Sequence, residues 1–599
     1  MSAQPQQPVN DPAQTAKIFA EVAERSSKLL GDFAKSHAQG KGIAFTDEMG
    51  IAKAFMDLSA QLLANPWKIA ETQVKMFWDY VALWQSSTLK LLGHSAEPVA
   101  RPEQGDYRWR DEEWQNHFLF DYFKQFHLIA ARNIQDAVCC VEGLPLETQK
   151  KIDFFTRQYL DALSPSNFIL TNPQVLRETV NSGGQNLIRG LNNLLDDIDR
   201  GNGKLRIKMT DTNAFKIGKN VAATPGKVVY QTDLMQLIQY QPLTAEVYRR
   251  PLLIIPPWIN KYYILDLRPK NSFIRWAVEQ GHTVFVVSWV NPDKRHAEKS
   301  FEDYMFEGSL AALGAIEEAT GEKQVNVIGY CLGGTLLGAT LAYMAAKQDK
   351  RFVSATFFVS LLDFSIPGEL GVFIDEQQVE NLERKMSERG YLEGHEMAST
   401  FNMLRANDLI WSFVINNYLL GKEPFPFDLL YWNSDSTRMP ANMHSYYLRN
   451  MYMKNALREP GGITLGGVPI DLRKIEMPAY FISTAEDHIA PWKSTYLGAR
   501  LLAGPVRFVL GGSGHIAGIV NPPSADKYGY WTNDSLEKEP DAWQKHARFH
   551  QGSWWTDWQA WIDRQNGADR VPARSPGAGR LKVIEAAPGS YVSARLDAS

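Results

Sequence analysis

The chain carries a thiol, a carboxylate and an imidazole in an order suited to nucleophilic chemistry. Cys331 lies between glycines in Gly329-Tyr330-Cys331-Leu332-Gly333, a G-x-C-x-G spacing. Two further stretches follow it, Thr484-Ala485-Glu486-Asp487-His488 and Gly511-Gly512-Ser513-Gly514-His515. A free thiol has a pKa of about 8.5, so only a few per cent is thiolate at neutral pH. An imidazole that takes the proton corrects this, and a carboxylate behind it fixes the tautomer. Nucleophile first, then acid, then histidine gives Cys331, Asp487 and His515. Glu486 and His488 flank the acid. His488 is next to Asp487 and badly placed to reach across to a thiol, so a structural role suits it better.

These side chains need a sheet to hold them. An unpaired cysteine is most often a small buried apolar residue, and its flanks decide between the two roles. Val325-Asn326-Val327-Ile328 reads as a strand, and Thr335 to Ala346 reads as an apolar helix. Strand, sharp turn, helix is the layout of a nucleophile elbow. Positions two before and two after the nucleophile must then lack side chains, because strand and helix nearly touch. Further β-rich runs cover 227–230, 251–255, 283–289, 352–359, 479–483 and 506–510, with helical stretches between several of them. Strands separated by helices imply parallel crossovers and an α/β sheet. Asp487 and His515 each fall just past a strand end. The oxyanion hole should use the backbone N–H of Leu332 and one from the loop 256–262, with Ile259 as the candidate, since Pro256 and Pro257 have no N–H to give.

At 599 residues the chain exceeds one compact core. Residues 1–200 read as an all-helical N-terminal domain and 201–599 as the catalytic α/β domain, with the boundary near the Asp/Gly-rich stretch 196–203. Met1–Gln14 reads as disordered. Three amphipathic patterns follow: Ile18 to Phe33, then Ile51, Phe55, Leu58 and Leu62, then Val74, Phe77, Val81 and Trp84. Such stripes usually pack on each other, and the sharper alternative is adhesion to a hydrophobic surface or partner helix. More than a hundred residues separate the strands near 360 and 479, where a dozen suffice for a crossover. The excess, about 363–457, reads as an inserted cap rich in aromatics, among them Trp411, Phe413, Tyr418, Phe425, Phe427, Tyr431, Trp432, Tyr446 and Tyr447. The cap would overhang the elbow and exclude water. The Gly/Pro/Ala/Arg-rich tail from Asn566 reads as flexible.

A net charge of −4 argues against nucleic-acid binding. The three cysteines, Cys139, Cys140 and Cys331, form neither a disulfide framework nor a metal pair, which suits a reducing cytoplasm. No apolar run is long enough to span a membrane, and the N-terminus lacks the pattern of a signal peptide.

Longer stretches resemble the polyhydroxyalkanoate synthases. They are Pro256-Pro257-Trp258-Ile259-Asn260-Lys261-Tyr262-Tyr263-Ile264-Leu265-Asp266-Leu267, the Cys331 box, Glu486-Asp487-His488, Gly514-His515-Ile516-Ala517-Gly518 with Asn521-Pro522-Pro523, and Gly552-Ser553-Trp554-Trp555 with Asp557-Trp558. The resemblance covers the catalytic half and reaches back to the aromatic segment near 109–126. The length suits the single-subunit class I type, and class II is similar in length. This resemblance implies an α/β-hydrolase fold with Cys331 as nucleophile, His515 as base and Asp487 as acid. It implies polymerisation of short-chain (R)-3-hydroxyacyl-CoA, chiefly 3-hydroxybutyryl-CoA, with release of coenzyme A. No cofactor or metal is expected, since coenzyme A is part of the substrate and a product. Implied partners are the growing polyester, the granule surface, granule-coat proteins and a second copy in a homodimer, at a cytoplasmic, granule-associated location. Two rivals share these residues: a cysteine-dependent thioesterase, and a granule scaffold that does no chemistry.

Overall fold

The computed structural model describes residues 50–594 except Gln104 and Cys140. The segment Met1–Gln14 and the helix expected over Ile18–Phe33 lie outside the described residues. The described chain forms two units. One holds the residues up to Asp211 together with Asn402–Phe425, and the other holds Thr212–Phe401 and everything from Pro426 onward.

The first unit is helical: α1 (Ile51–Ala64), α2 (Pro66–Leu91), α3 (Phe118–Val138), α4 (Leu146–Ala162), α5 (Pro173–Asn181) and α6 (Gln185–Arg200). The apolar face of α1 packs Ala54 and Leu58 against Val138, Val141 and Ile152. α2 behaves differently from the packed stripe the sequence suggests. Leu83 is buried, but Trp67, Val74, Phe77, Trp78 and Trp84 are all more than half exposed. α6 runs through Asp196–Asp199 and ends at Arg200 with Gly201 as its cap, and the first unit continues to Asp211.

The inserted cap is not one body. Residues 402–425 belong to the helical unit, where Tyr418 donates its hydroxyl to Asp197 at 2.6 Å and Asn186 donates to the Leu419 carbonyl at 2.8 Å. Gly190 makes the approach possible: a Cβ there would sit 1.8 Å from the Tyr418 carbonyl oxygen. Aromatic richness alone did not reveal that Trp411, Phe413, Tyr418 and Phe425 lie in this other unit.

The second unit is built on an eleven-stranded sheet. In chain order its strands are β1 (Gly226–Gln231), β2 (Met235–Tyr240), β3 (Leu252–Ile255), β4 (Val284–Trp289), β5 (Val325–Tyr330), β6 (Phe352–Phe358), β7 (Ala479–Thr484), β8 (Val506–Gly511), β9 (Tyr530–Thr532), β10 (Arg548–His550) and β11 (Glu585–Ala586). Their spatial order is β10-β9-β8-β7-β6-β5-β3-β4-β2-β1-β11. β3 to β8 are parallel to their neighbours in this core, with β1, β2, β9, β10 and β11 antiparallel at the two ends. The parallel strands β3, β4 and β5 are buried at every position, as a sheet covered on both faces requires.

β5 meets α7 (Leu332–Ala346) at Cys331, and the two elements touch. A Cβ on Gly329 would lie 2.5 Å from the Gly334 Cα, and one on Gly333 would lie 2.1 Å from the Ile255 carbonyl oxygen. α7 is apolar all round and is buried from Gly333 to Ala342.

The described part of the tail, as far as Ala594, is ordered, contrary to its composition. Arg570–Pro572 pairs with Glu246–Tyr248, and β11 covers the outer edge of β1 through Lys227↔Ala586 and Val228↔Glu585. Val592 is buried, and Lys261 Nζ donates to the carbonyls of Val592 (2.8 Å) and Ala594 (2.7 Å). Backbone pairing with an open sheet edge and a buried ammonium hold this segment, and neither leaves a mark in local hydropathy.

Gly333→Ala should destabilise the fold by at least about 2 kcal/mol in chemical denaturation, since rigid backbone faces the added methyl; a variant as stable as the parent would contradict this packing. Ending the chain at Ile584 should lower the thermal midpoint by at least about 3 °C, because the β1 edge opens and Lys261 loses acceptors. An unchanged midpoint would return the tail to a passive role.

Candidate active site

Cys331 has φ +53° and ψ −118°, a backbone conformation that L-residues avoid. Such a residue costs about 1–3 kcal/mol and persists only where surroundings over-determine it. The Cys331 N–H donates to the Phe358 carbonyl at 2.9 Å, and the Cys331 carbonyl accepts from Gly334 and Thr335 at 2.9 and 3.2 Å. The strand end and the helix start are thus both anchored across the turn. Val359, at the end of the adjacent β6, has φ +41°, a second strained residue beside the first and an unusual one for a β-branched side chain. The thiol is half-buried.

Asp487 and His515 come from strands further along the sheet. β7 lies two strands and β8 three strands from β5, about 10 and 15 Å at the usual spacing. The parallel register pairs Thr484 with Gly511, so both loops leave the sheet at the same height. Ala485 N–H donates to the Gly511 carbonyl at 2.9 Å and Glu486 N–H to the Ser513 carbonyl at 3.0 Å, stapling the loops together. Asp487 and His515 then meet, with His515 Nδ1 and Asp487 Oδ2 2.7 Å apart. Both residues are buried. The other carboxylate oxygen accepts the N–H groups of Ile489 and Ala490 at 2.9 and 2.8 Å, which fixes the carboxylate plane.

Burial opposes a charged imidazole at His515. The negative charges of Asp487 and Cys331, with the hydrogen bond to Asp487, outweigh it and raise the group to about 10. Tyr330 stacks on the His515 ring with centroids 6.0 Å apart, and burial followed by the same two charges keeps its phenol neutral. A thiol, an imidazole and a carboxylate in this electrostatic arrangement are equipped for proton transfer between sulfur and ring. Glu486 is exposed, and His488 stands beside the acid while His515 makes the carboxylate contact.

The two oxyanion candidates border the same space as the sulfur. Leu332 opens α7, so its N–H has no acceptor within the helix. Ile259 lies on the loop after β3, which other side chains pin: Trp289 Nε1 donates to the Pro256 carbonyl (2.8 Å), Thr437 Oγ1 to that of Trp258 (2.5 Å) and Trp432 Nε1 to that of Lys261 (2.7 Å). Ile259, Cys331 and Leu332 all line a cavity of about 160 Å³. Its remaining walls are mostly aliphatic, including Leu361, Leu370, Ile374, Leu382 and Met397. Of the cap aromatics singled out in the sequence, Tyr447 lines this cavity. Tyr431 and Trp432 are buried in the core instead. Among the described residues, no group of three or more His, Cys, Asp or Glu side chains is arranged to hold a metal.

Sequence reasoning missed how the histidine loop is held. Trp554 Nε1 donates to the Gly518 carbonyl at 3.0 Å, and Trp555 Nε1 donates to the Ile519 carbonyl at 2.9 Å. Both indoles are buried beneath the loop that carries His515. The available signal was that adjacent buried tryptophans must each find an acceptor; which acceptor was not legible.

Comparisons with known proteins agree with this architecture. Residues 105–277 match the family described as poly-beta-hydroxybutyrate polymerase (PhaC) N-terminus, and residues 269–522 match the alpha/beta hydrolase fold. The chain is 48% identical to the poly(3-hydroxyalkanoate) polymerase subunit PhaC of Rhizobium meliloti (strain 1021), over 98% of this chain and 96% of that one. It is 47% identical to the poly(3-hydroxyalkanoate) polymerase of Methylorubrum extorquens, over 97% and 96% of the two chains. Against the poly(3-hydroxyalkanoate) polymerase subunit PhaC of Cupriavidus necator the figures are 40% identity over 96% and 94%. A sheet with a strained cysteine elbow, and likeness to these enzymes along nearly their whole length, make this chain a member of the poly(3-hydroxyalkanoate) polymerase family with an α/β-hydrolase fold.

Proposed function

We propose that the chain polymerises short-chain (R)-3-hydroxyacyl-CoA, chiefly 3-hydroxybutyryl-CoA, into polyhydroxyalkanoate through an acyl thioester on Cys331. The observation that carries the reading is the elbow sulfur beside a buried imidazole that Asp487 holds and whose positive charge it favours. In loading, His515 already holds, as an imidazolium, the proton it has taken from the thiol, and the sulfur attacks the thioester carbonyl. Charge on the tetrahedral oxygen falls to the N–H groups of Leu332 and Ile259. The carbon–sulfur bond to coenzyme A breaks, and coenzyme A leaves with the proton from His515. Thioester exchange is close to isoenergetic, so loading is reversible. In transfer, His515 or Asp487 takes the proton of an incoming 3-hydroxyl, whose oxygen attacks the acyl group on Cys331. An oxygen ester forms and the sulfur is freed, a downhill step that extends the chain.

Water at the acyl sulfur would turn the enzyme into a thioesterase. The aliphatic cavity walls favour the polymerising reading, because they disfavour water beside Cys331. The catalytic unit holds a single thiol, Cys331, since Cys139 and Cys140 precede it in the helical half. Growth therefore uses one sulfur, or two across a homodimer. The division of labour we propose gives residues 1–200 to association and 201–599 to catalysis. Exposed Trp67, Phe77, Trp78 and Trp84 on α2 suit the polyester granule or its coat proteins. Among the described residues no helix is long and apolar enough to cross a membrane, which accords with a cytoplasmic, granule-bound enzyme.

Incubation with 3-hydroxybutyryl-CoA should yield coenzyme A and insoluble polymer; free 3-hydroxybutyrate in place of polymer would support the thioesterase. Cys331→Ala should abolish coenzyme A release, and unchanged release would favour a scaffold. His515→Ala should slow turnover by about 10²–10⁴-fold. Asp487→Asn should impair elongation at least as much as loading, and the opposite ranking in single-turnover assays would contradict these roles.

The raised His515 value also makes stability depend on pH. A group whose folded value exceeds its free value of 6.5 stabilises the fold in its charged form. That contribution is complete below pH 6.5 and is lost as pH rises through about 10. The thermal midpoint should therefore fall more between pH 7 and 10 in the parent than in His515→Gln, at about the same protein concentration and salt. Parallel curves would show that the imidazole does not carry the charge.

A further inference from the structure

Behind the loop 256–262 lies a buried ion pair that the mechanism above leaves unused. Lys261 Nζ and Asp435 Oδ1 are 2.7 Å apart, and both side chains are at most 3% exposed. The other carboxylate oxygen accepts the Tyr263 hydroxyl at 2.8 Å. With the Val592 and Ala594 carbonyls, the ammonium has three acceptors for its three N–H groups. A buried charge of this kind persists only when it is paired and its donors are met. The pair thus joins three segments: the loop after β3, the stretch around Asp435, and the last described turn of the tail (Ser590–Ser593) with Ala594.

The same loop is tied to its surroundings through its carbonyls. Those of Pro256, Trp258 and Lys261 accept side-chain donors, the Ile259 carbonyl accepts the Thr437 N–H at 3.3 Å, and Asn260 forms an antiparallel bridge with Ser436. The Ile259 N–H, by contrast, has no acceptor among the described residues, and Ile259 borders the cavity that holds the sulfur. A loop whose carbonyls are bonded away while one N–H stays open beside a nucleophile is arranged to meet a developing oxyanion. We propose that Lys261 is a positioning residue: its bonds to Asp435 and to the tail hold this loop so that the Ile259 N–H meets the acyl oxygen as Cys331 is loaded. The end of the tail is then part of the support of the active site, although none of its residues lines the cavity. This inference rests on the reading of Cys331 as the acylated sulfur.

The test uses two full-length variants. Lys261→Met combined with Asp435→Asn removes both charges together, which folds tolerate better than the loss of one, and keeps an acceptor for Tyr263. Val592→Asp places a charge where a buried side chain sits and so undocks the end of the tail while β11 stays paired. First-turnover coenzyme A release from 3-hydroxybutyryl-CoA is followed over a range of concentrations, beside the thermal midpoint and the alkylation of Cys331 by iodoacetamide, read by peptide mapping. Each variant should lower the maximal loading rate constant by about 10–10²-fold, with the half-saturating concentration changed by less than about twofold. Alkylation, which forms no oxyanion, should keep the parent rate. Loading at the parent rate in a folded variant, or a loss of loading matched by an equal loss of alkylation, would overturn the proposal. If neither variant folds, the pair serves stability and the proposal falls as well. If the parent itself releases no coenzyme A, the reading of Cys331 fails instead, and the two failures are thereby distinguished.

Discussion

The approach of β5 to α7 sets the terms for the rest of the site. The two elements are so close that Gly329 has no room for a Cβ, the end of β3 crowds Gly333 in the same way, and the chain between the two glycines turns through a positive φ at Cys331. That turn lifts the sulfur off the sheet and leaves the first N–H of the helix without an acceptor in its own element. A nucleophile and half of an oxyanion site thus follow from one steric constraint. The strain is held by flanking hydrogen bonds, chiefly from Cys331 to the Phe358 carbonyl on β6. The elbow is therefore inseparable from the sheet that supports it.

Delivery of the base is a matter of register and length. Parallel strands β5 to β8 all end on one side of the sheet, the usual place for ligands in such folds. The acid and base arise two and three strands from the sulfur, and their loops must return across that distance. Hydrogen bonds between the loops, the glycines of the second, and the indoles of Trp554 and Trp555 beneath it hold His515 in place. Conformational freedom lost at Gly512 and Gly514 is thus offset by contacts that reach Gly518 and Ile519 from 36 residues further along the chain.

Much of this was legible in the sequence. Apolar runs located β1 and all six parallel strands of the sheet within a few residues, the six because buried parallel strands leave continuous apolar stretches. Of the antiparallel strands only β1 was located; β2 carries Gln236 and Gln239, β9 and β10 have three residues each, and β11 has two. Cys331, Asp487 and His515 were identifiable because elbow chemistry and strand-end positions leave marks in local order. The division of the cap was not, since Gly190 reports only that something approaches closely and not that Tyr418 does. The ordered tail was hidden for a similar reason. Its stability comes from the β1 edge and from Lys261, more than 300 positions away. Long-range pairing of this sort has no local signature.

The central claim is that the acyl group passes through the sulfur of Cys331. The most direct measurement is acid-quenched peptide mapping by mass spectrometry after brief mixing with a non-extending acyl thioester such as butyryl-CoA. A butyryl adduct confined to the peptide that contains Cys331, and removable by neutral hydroxylamine, is the expected result. Coenzyme A release with no adduct on that peptide, or an adduct on Cys139 or Cys140 instead, would contradict it.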